Sequence, residues 1–440
     1  MNEWMPLFLF ISLFVLLMLG YPVAFTLGGV SLIFGILTFG FDFFNLLPLR
    51  IWGVMTNYVL IAVPLFIYMG VMLEESGLAE DLLETMALLF GRMRGGLAIS
   101  VVVVGAMLAA STGIVGATVV TMGLLSLPTM IKRGYSPELA TGTISASGTL
   151  GQIIPPSIVL VLLGSVLNIS VGDLFMGAVI PGAVLVGLYF IWIIIKGIIS
   201  PKAAPAMPKE ELAKFKGVAM LKRILRAFLM PFFLVVAVLG SIFAGIASPT
   251  EAAAVGAFGA TLLTIGQKRF SYETLKTVMK ETTFLTSMVF IILVGATGFG
   301  LVFRGMGGDR ILTNLILKAN LSPHLFLAFV MVAIFIAGFF IDFIEIVFII
   351  VPVVEPIFVH LNVNLLWIGI LIAMNLQTSF LTPPFGFSLF YLKGVAPPSI
   401  TTGQIYRGII PFIIIQLIGL TLIILFPEMS TWLPRVVIGE

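Results

Sequence analysis

Gly148-Thr149-Leu150-Gly151-Gln152-Ile153-Ile154-Pro155-Pro156-Ser157 lies in the middle of an apolar stretch that runs from residue 136 to 168. As one helix that stretch would be roughly 50 Å long at a rise of about 1.5 Å per residue, against a hydrocarbon core of about 30 Å. It has to break, and the double proline supplies the break, because proline lacks an N–H and its ring clashes with the preceding turn. The same construction returns 228 positions later, where Gln377-Thr378-Ser379-Phe380-Leu381-Thr382-Pro383-Pro384 interrupts another apolar run.

The surroundings of the two breaks are those of a polytopic membrane protein. Apolar residues make up 60% of the chain and charged ones 10%, against roughly 45–50% and 25% in soluble domains. Apolar runs recur from Leu7 to Phe426, which a single signal peptide on a soluble body cannot produce. With no cysteine there is no disulfide, thiolate nucleophile or thiolate metal site, and the redox compartment cannot be read. A net charge of +3 over this length argues against a nucleic-acid partner. No glycine-rich loop ends in Gly-Lys-Ser or Gly-Lys-Thr, so nothing points to ATP as the energy source.

The double prolines belong to an internal repeat. Gly20-Tyr21-Pro22 with Gly29 returns as Ala247-Ser248-Pro249 with Gly256, 227 positions on. Gly77-Leu78-Ala79-Glu80-Asp81 resembles Gly307-Gly308-Asp309-Arg310, and Leu127-Pro128 returns as Val351-Pro352 after 224 positions. Four landmarks in one order at a nearly constant offset indicate duplication into repeats 1–200 and 223–440. Between them, 201–222 carries prolines at 201, 205 and 208 among lysines and glutamates and reads as a solvated cytoplasmic linker.

In the first repeat, spans are expected at about 5–20, 22–40, 58–75 and 173–197, with an amphipathic stretch from Gly77 to Arg94. Residues 97–112 and 114–131 are each short for a crossing and meet at Ser111-Thr112-Gly113, so they read as a re-entrant hairpin. With the broken helix this makes five crossings plus one hairpin, an odd number, so the second repeat must be inverted, with its own hairpin at about 323–358. The predicted fold class is an all-α polytopic membrane protein of two inverted repeats. Alternating the segments places 18 of the 23 Lys and Arg on one side and leaves Arg50, Arg304, Arg310, Lys318 and Arg435 on the other. By the positive-inside rule the first side, with the hairpin of 97–131, is cytoplasmic; both termini and the second hairpin are periplasmic.

Irregular backbone at membrane depth is tolerated where it is buried in protein or lines a cavity, and inverted repeats with discontinuous helices are the signature of secondary transporters. At the first break and tip, glycines free the backbone, proline strands upstream carbonyls, and hydroxyls add neutral oxygens. Such a cage suits a hard cation such as Na⁺ rather than a transition metal. The competing reading is that Ser, Thr and Gly only let helices pack closely. In the second copy Gly338-Phe339-Phe340-Ile341-Asp342 forms the tip, and Asp342 and Glu345 lie in an apolar stretch with no basic residue within ten positions of Asp342. Intramembrane carboxylates are functional candidates, the alternatives being a structural ion pair or snorkelling. Arg304, ending an apolar span, can meet a substrate carboxylate with its planar fork or anchor the helix at the interface; Gln152 and Ser157 of the first break are the further substrate candidates. Ser248-Pro249-Thr250-Glu251 reads as a capping box. His324 and His360, read as lying in short outer loops, have no ligand spacing around them, and no catalytic residue is indicated.

Gly151-Gln152-Ile153-Ile154-Pro155-Pro156-Ser157, Ala247-Ser248-Pro249-Thr250-Glu251-Ala252-Ala253-Ala254-Val255-Gly256-Ala257 and Leu381-Thr382-Pro383-Pro384-Phe385-Gly386 resemble the large membrane subunit of tripartite ATP-independent periplasmic (TRAP) transporters. The resemblance covers essentially the whole chain. It implies an ion-transporter-superfamily fold working as an elevator in the bacterial inner membrane and Na⁺ as coupling ion, with no organic cofactor. It also implies a small four-helix membrane subunit and a periplasmic substrate-binding protein that delivers an organic acid such as sialic acid or a dicarboxylate. One cation site maps onto Ser111, Thr112, Gly151, Ile154 and Pro156, the inverted one onto Gly338, Asp342, Thr378, Thr382 and Pro384, and Arg304 resembles a family arginine near the substrate path. The alternatives are a Na⁺/carboxylate transporter that needs no binding protein and, more remotely, an intramembrane enzyme.

Overall fold

The computed structural model describes residues 4–113, 115–208, 218–318 and 322–439, which form helices joined by turns with no strand among them. Among the described residues, seven helical segments are long and apolar enough to cross a bilayer: Val23–Asp42, Tyr58–Glu75, Val115–Lys132, Val171–Ile199, Met220–Phe243, Tyr272–Gly305 and Thr402–Leu425. An eighth is made by Phe343–Ile349 and Val351–His360, bent by 49° at their junction. Val115–Lys132 and the bent pair are hairpin arms, so six of these segments match the ten crossings the sequence predicts; the other four correspond to the shorter apolar Met5–Met18, to Pro249–Gly266, whose alanines and glycines dilute its apolar character, and to the two broken helices. Phe25, Leu37, Phe41, Leu49, Trp52 and Phe284 are each more than two thirds exposed. A surface studded with such side chains needs lipid as its solvent.

Helix starts follow local chemistry. Ser248 and Glu251 form the expected capping box, with the Glu251 N–H donating to Ser248 Oγ at 3.3 Å and the Ser248 N–H to Glu251 Oε2 at 2.8 Å. Thr401 and Gln404 do the same for Thr402–Leu425. Each hairpin follows an amphipathic helix, Leu78–Phe90 or Gly308–Lys318. The first hairpin consists of Gly96–Thr112 and Val115–Lys132; the second runs from Pro323–Ala337 into the bent pair.

The helices pack in two groups. In one, Val23–Phe39 lies along Tyr272–Gly305, and Ala62–Glu75 along Pro249–Gly266. In the other, Pro137–Gly148 lies along Thr402–Leu425, and Leu365–Leu381 along Val171–Ile199. The second arm of each hairpin leans on the half-helix after the opposite break: Val115–Lys132 on Phe387–Val395, and Phe343–Ile349 on Ile158–Leu167. Thr121 of the first hairpin donates to the Glu74 carboxylate at the end of Ala62–Glu75, which ties the groups together. Arg269 clamps the elbow into Leu78–Phe90: its Nη1 donates to Ser76 O at 2.8 Å and its Nη2 lies 3.0 Å from Asp81 Oδ2.

Three local readings change. Of the linker 201–222, residues 209–217 lie outside the described residues, but 200–208 is a strap rather than a solvated tether. Ala203 O and Ala204 O accept from Ser136 N–H and Gly95 N–H at 3.0 Å, and the Met207 N–H donates to Gly91 O at 2.8 Å. The strap has partners because its alanines and Met207 fit under loops 91–95 and 133–136, where Ala204 is fully buried. Phe43–Met55, for which the sequence predicts no element, is a helix whose Leu46, Leu49, Trp52 and Met55 form an exposed stripe. His324 and His360 lie at helix ends, not in loops.

Candidate functional site

The first broken helix runs as Pro137–Gly148, capped by Ser136, then one tight turn, Leu150–Gln152, then irregular backbone to Ser157, and restarts as Ile158–Leu167. Regular helix stops at Gly148, seven residues before Pro155, and the prolines at 155 and 156 supply no N–H to the carbonyls of Gly151 and Gln152 four residues upstream. The Pro155-Pro156 bond is cis, as is Pro383-Pro384 in the second break. Local bonds hold the irregular stretch: Ile154 N–H donates to Leu150 O at 2.9 Å, Ser157 Oγ to Gln152 O at 3.1 Å, and Thr149 Oγ1 to Ala146 O at 2.9 Å. Gly151, Gln152, Pro156 and Ser157 are buried and Ile154 is half-buried.

The first hairpin seals this break. A Cβ on Gly151 would stand 2.7 Å from Ala109 O, so only glycine lets the turn touch the hairpin arm. The chain reverses at Gly113, whose φ of 61° favours glycine, and a Cβ there would stand 3.2 Å from Ile158 N, at the restarting helix. The predicted tip is thus brought to the predicted break. The side chains of Ser111 and Thr112 lie outside the described residues. Gln152 is fully buried, yet neither its Oε1 nor its Nε2 has a hydrogen-bond partner in the protein. Leaving such a group unsatisfied costs about 1–3 kcal/mol, so a bound partner for the amide is favoured.

At the second break, Leu365–Leu381 runs almost to the prolines and the helix restarts as Phe387–Val395. Thr378 Oγ1 donates to Met374 O at 2.9 Å and Thr382 Oγ1 to Thr378 O at 2.8 Å. A hydroxyl that has spent its proton on a carbonyl keeps lone pairs for a cation. Pro384 O accepts from Tyr406 O–H at 2.9 Å. Gly338 faces this helix, for a Cβ there would stand 2.8 Å from Ser379 Cβ.

Asp342 is part of a capping box that starts Phe343–Ile349: Oδ1 accepts from Phe343 N–H at 2.8 Å, and Glu345 Oε2 accepts from Asp342 N–H at 3.0 Å. Tyr391, in the half-helix beyond the second break, has its ring against Gly116 of the first hairpin. Aromatic contacts distinguish this tip from the first: Phe340 meets Phe385 just beyond the prolines, centroids 5.4 Å apart. Arg304 is exposed at the end of Tyr272–Gly305. Gln152 and Ser157 therefore share one break, while Arg304 lies outside it, at the end of Tyr272–Gly305.

Sequence reasoning did not single out Thr149 as a partner of Gln377, although the two are 228 positions apart, the offset of the double prolines. In the fold they touch, Gln377 Nε2 donating to Thr149 Oγ1 at 3.3 Å. No group of three or more His, Cys, Asp or Glu suited to a metal exists among the described residues. The two breaks hold hydroxyl and carbonyl oxygens, the Asp342 carboxylate and a buried amide without a protein partner.

Residues 10–429 match the family described as the tripartite ATP-independent periplasmic transporter, DctM component. Over 412 residues the chain is 32% identical to the C4-dicarboxylate TRAP transporter large permease protein DctM of Pseudomonas aeruginosa, which spans 92% of this chain and 93% of that one. It is 29% identical to the sialic acid TRAP transporter large permease protein SiaM of Vibrio cholerae, spanning 96% of this chain and 97% of that one. It is 28% identical to the ectoine TRAP transporter large permease protein TeaC of Halomonas elongata, spanning 95% and 96%. The fold resembles the crystal structure of the Alcanivorax borkumensis YdaH transporter, with a TM-score of 0.65 and 14% identity over 96% of this chain and 98% of that one.

Proposed function

Since the chain belongs to the DctM family of tripartite ATP-independent periplasmic transporter components, we propose that it is the permease through which a Na⁺ gradient drives uptake of a carboxylate-bearing solute. The single observation that carries this reading is that each broken helix is met by a hairpin tip, as Gly113 against Ile158 and Gly338 against Ser379. Irregular backbone buried in this way has its best use as a cation cage. We assign one cation to the tip at Ser111 and Thr112 with Gly151, Ile154 and Pro156, and another to Gly338, Asp342, Thr378, Thr382 and Pro384. The solute lies between them, its polar groups met by Gln152 and Ser157. Arg304, exposed at the end of Tyr272–Gly305, is assigned to a solute carboxylate. The relatives named for C4-dicarboxylates, sialic acid and ectoine support a small carboxylate as solute, handed over by a periplasmic binding protein with a small membrane subunit as second partner. The reciprocal packing of hairpins on half-helices supports inverted repeats, 1–200 and 223–440, and an elevator in which the broken helices and hairpins move against Val23–Phe39, Ala62–Glu75, Pro249–Gly266 and Tyr272–Gly305.

Uptake of radiolabelled succinate and sialic acid into proteoliposomes containing the complete transporter tests this reading. Uptake is expected to require an inward Na⁺ gradient and the binding protein. Equal uptake with Na⁺ replaced by choline overturns the coupling, and equal uptake without the binding protein favours a stand-alone carrier.

A further inference from the structure

Thr149 and Gln377 are both fully buried, one at the start of each helix break, and each occupies the other's place 228 positions away. When two copies of a motif are related by a two-fold operation, a residue that touches its own counterpart lies on the axis. The bond from Gln377 Nε2 to Thr149 Oγ1 is such a self-contact. A second joins the last spans, where Gln416 Nε2 donates to the Tyr189 hydroxyl at 2.8 Å across 227 positions.

Each end of the Thr149–Gln377 bond adjoins one cation cage. Thr149 O accepts the Gln152 N–H at 3.2 Å, and the Leu150–Gln152 turn carries Gly151 and leads to Ile154. Thr378 follows Gln377 directly and accepts from Thr382 Oγ1 at its own carbonyl. Gln377 Oε1 is buried with no partner in the protein, so among protein contacts the amide is held through its Nε2.

We propose that Thr149 and Gln377 are positioning residues that couple the two cation sites, so that filling one break orders the other. The inference rests on the reading of the two breaks as Na⁺ sites. A cation that fixes the Leu150–Ile154 turn also fixes Thr149. The hydrogen bond then holds Gln377, and with it the last turn of Leu365–Leu381, in the arrangement that Thr378 and Thr382 need. Coupling of this kind is reciprocal and raises the steepness of Na⁺ activation.

The test measures uptake against Na⁺ concentration in the reconstituted complete transporter for the parent, Thr149→Val, Gln377→Met, the double variant and Thr149→Ser. Valine and methionine keep size and remove the hydrogen bond; serine restores the hydroxyl. The Hill coefficient is expected to fall from about 2 in the parent to about 1 in each single variant, with no further fall in the double variant and parental steepness in Thr149→Ser. Should Gln377→Met fail to insert, the Thr149→Val and Thr149→Ser pair decides, because a structural defect lowers maximal uptake without flattening the curve. Parental steepness in an inserted Thr149→Val protein overturns the coupling role while the Na⁺ sites stand. Na⁺-independent uptake by the parent overturns the sites themselves, and the coupling with them.

Discussion

Replacing Asp342 by asparagine and by alanine separates its helix-capping role from the cation binding proposed for it. Asp342 caps Phe343–Ile349 through the 2.8 Å bond from Phe343 N–H, and it lies at the tip that faces the second break. Asparagine caps a helix about as well as aspartate, whereas alanine forfeits roughly 1 kcal/mol. Asparagine also removes the negative charge while keeping an oxygen in place. A carboxylate that contributes about 1.4 kcal/mol to holding Na⁺ corresponds to a tenfold change in affinity. The Asp342→Asn protein is therefore expected to match the parent in thermal stability in detergent but to need about tenfold more Na⁺ for half-maximal uptake. The Asp342→Ala protein should show the same Na⁺ defect together with lower thermal stability. An unchanged half-saturating Na⁺ concentration in a well-inserted Asp342→Asn variant would refute cation binding and leave Asp342 as a helix cap.

Gly151→Ala places a methyl 2.7 Å from Ala109 O, and since backbone is what must yield, a loss of about 1–3 kcal/mol is expected; a thermal scan that matches the parent refutes the close approach. Alkaline phosphatase fused after Glu440 is expected to be active and fused at Lys209 inactive, so equal activity at the two sites rejects the odd number of crossings per repeat. Burial pushes the Tyr135 phenol up to about 12 from an ordinary 10.0. Above pH 10 the unfolded chain sheds this proton before the folded one, so stability falls as pH rises further. Tyr135→Phe, which also removes the acceptor for the Leu97 N–H at 3.2 Å, should be less stable at neutral pH yet lose less between pH 10 and 12; parallel pH profiles for the two proteins exclude the titration.

Composition, run lengths and the two double prolines already specify helices in lipid, two breaks and two hairpins. Burying apolar runs and interrupting them with proline are local physics, expressed in residues next to each other in the chain. Hence Gly113, Gly338 and both breaks fall where the sequence puts them, and the capping box at Ser248 is readable from four consecutive residues. The helix Phe43–Met55 carries Pro48 and Arg50 within its length and turns its apolar stripe outward, so no buried face marks it in the sequence. What only the tertiary structure decided is which oxygen meets which partner. The sequence cannot say that Gly338 faces Ser379 of the second break, or that Gln152 is buried with its amide unpaired. Nor can it place Thr149 against Gln377, because 228 residues of chain separate the two atoms that bond. Helix periodicity and proline act over a few residues, whereas hydrogen-bond partners inside a membrane protein depend on how distant helices pack, and that is set by the whole chain at once.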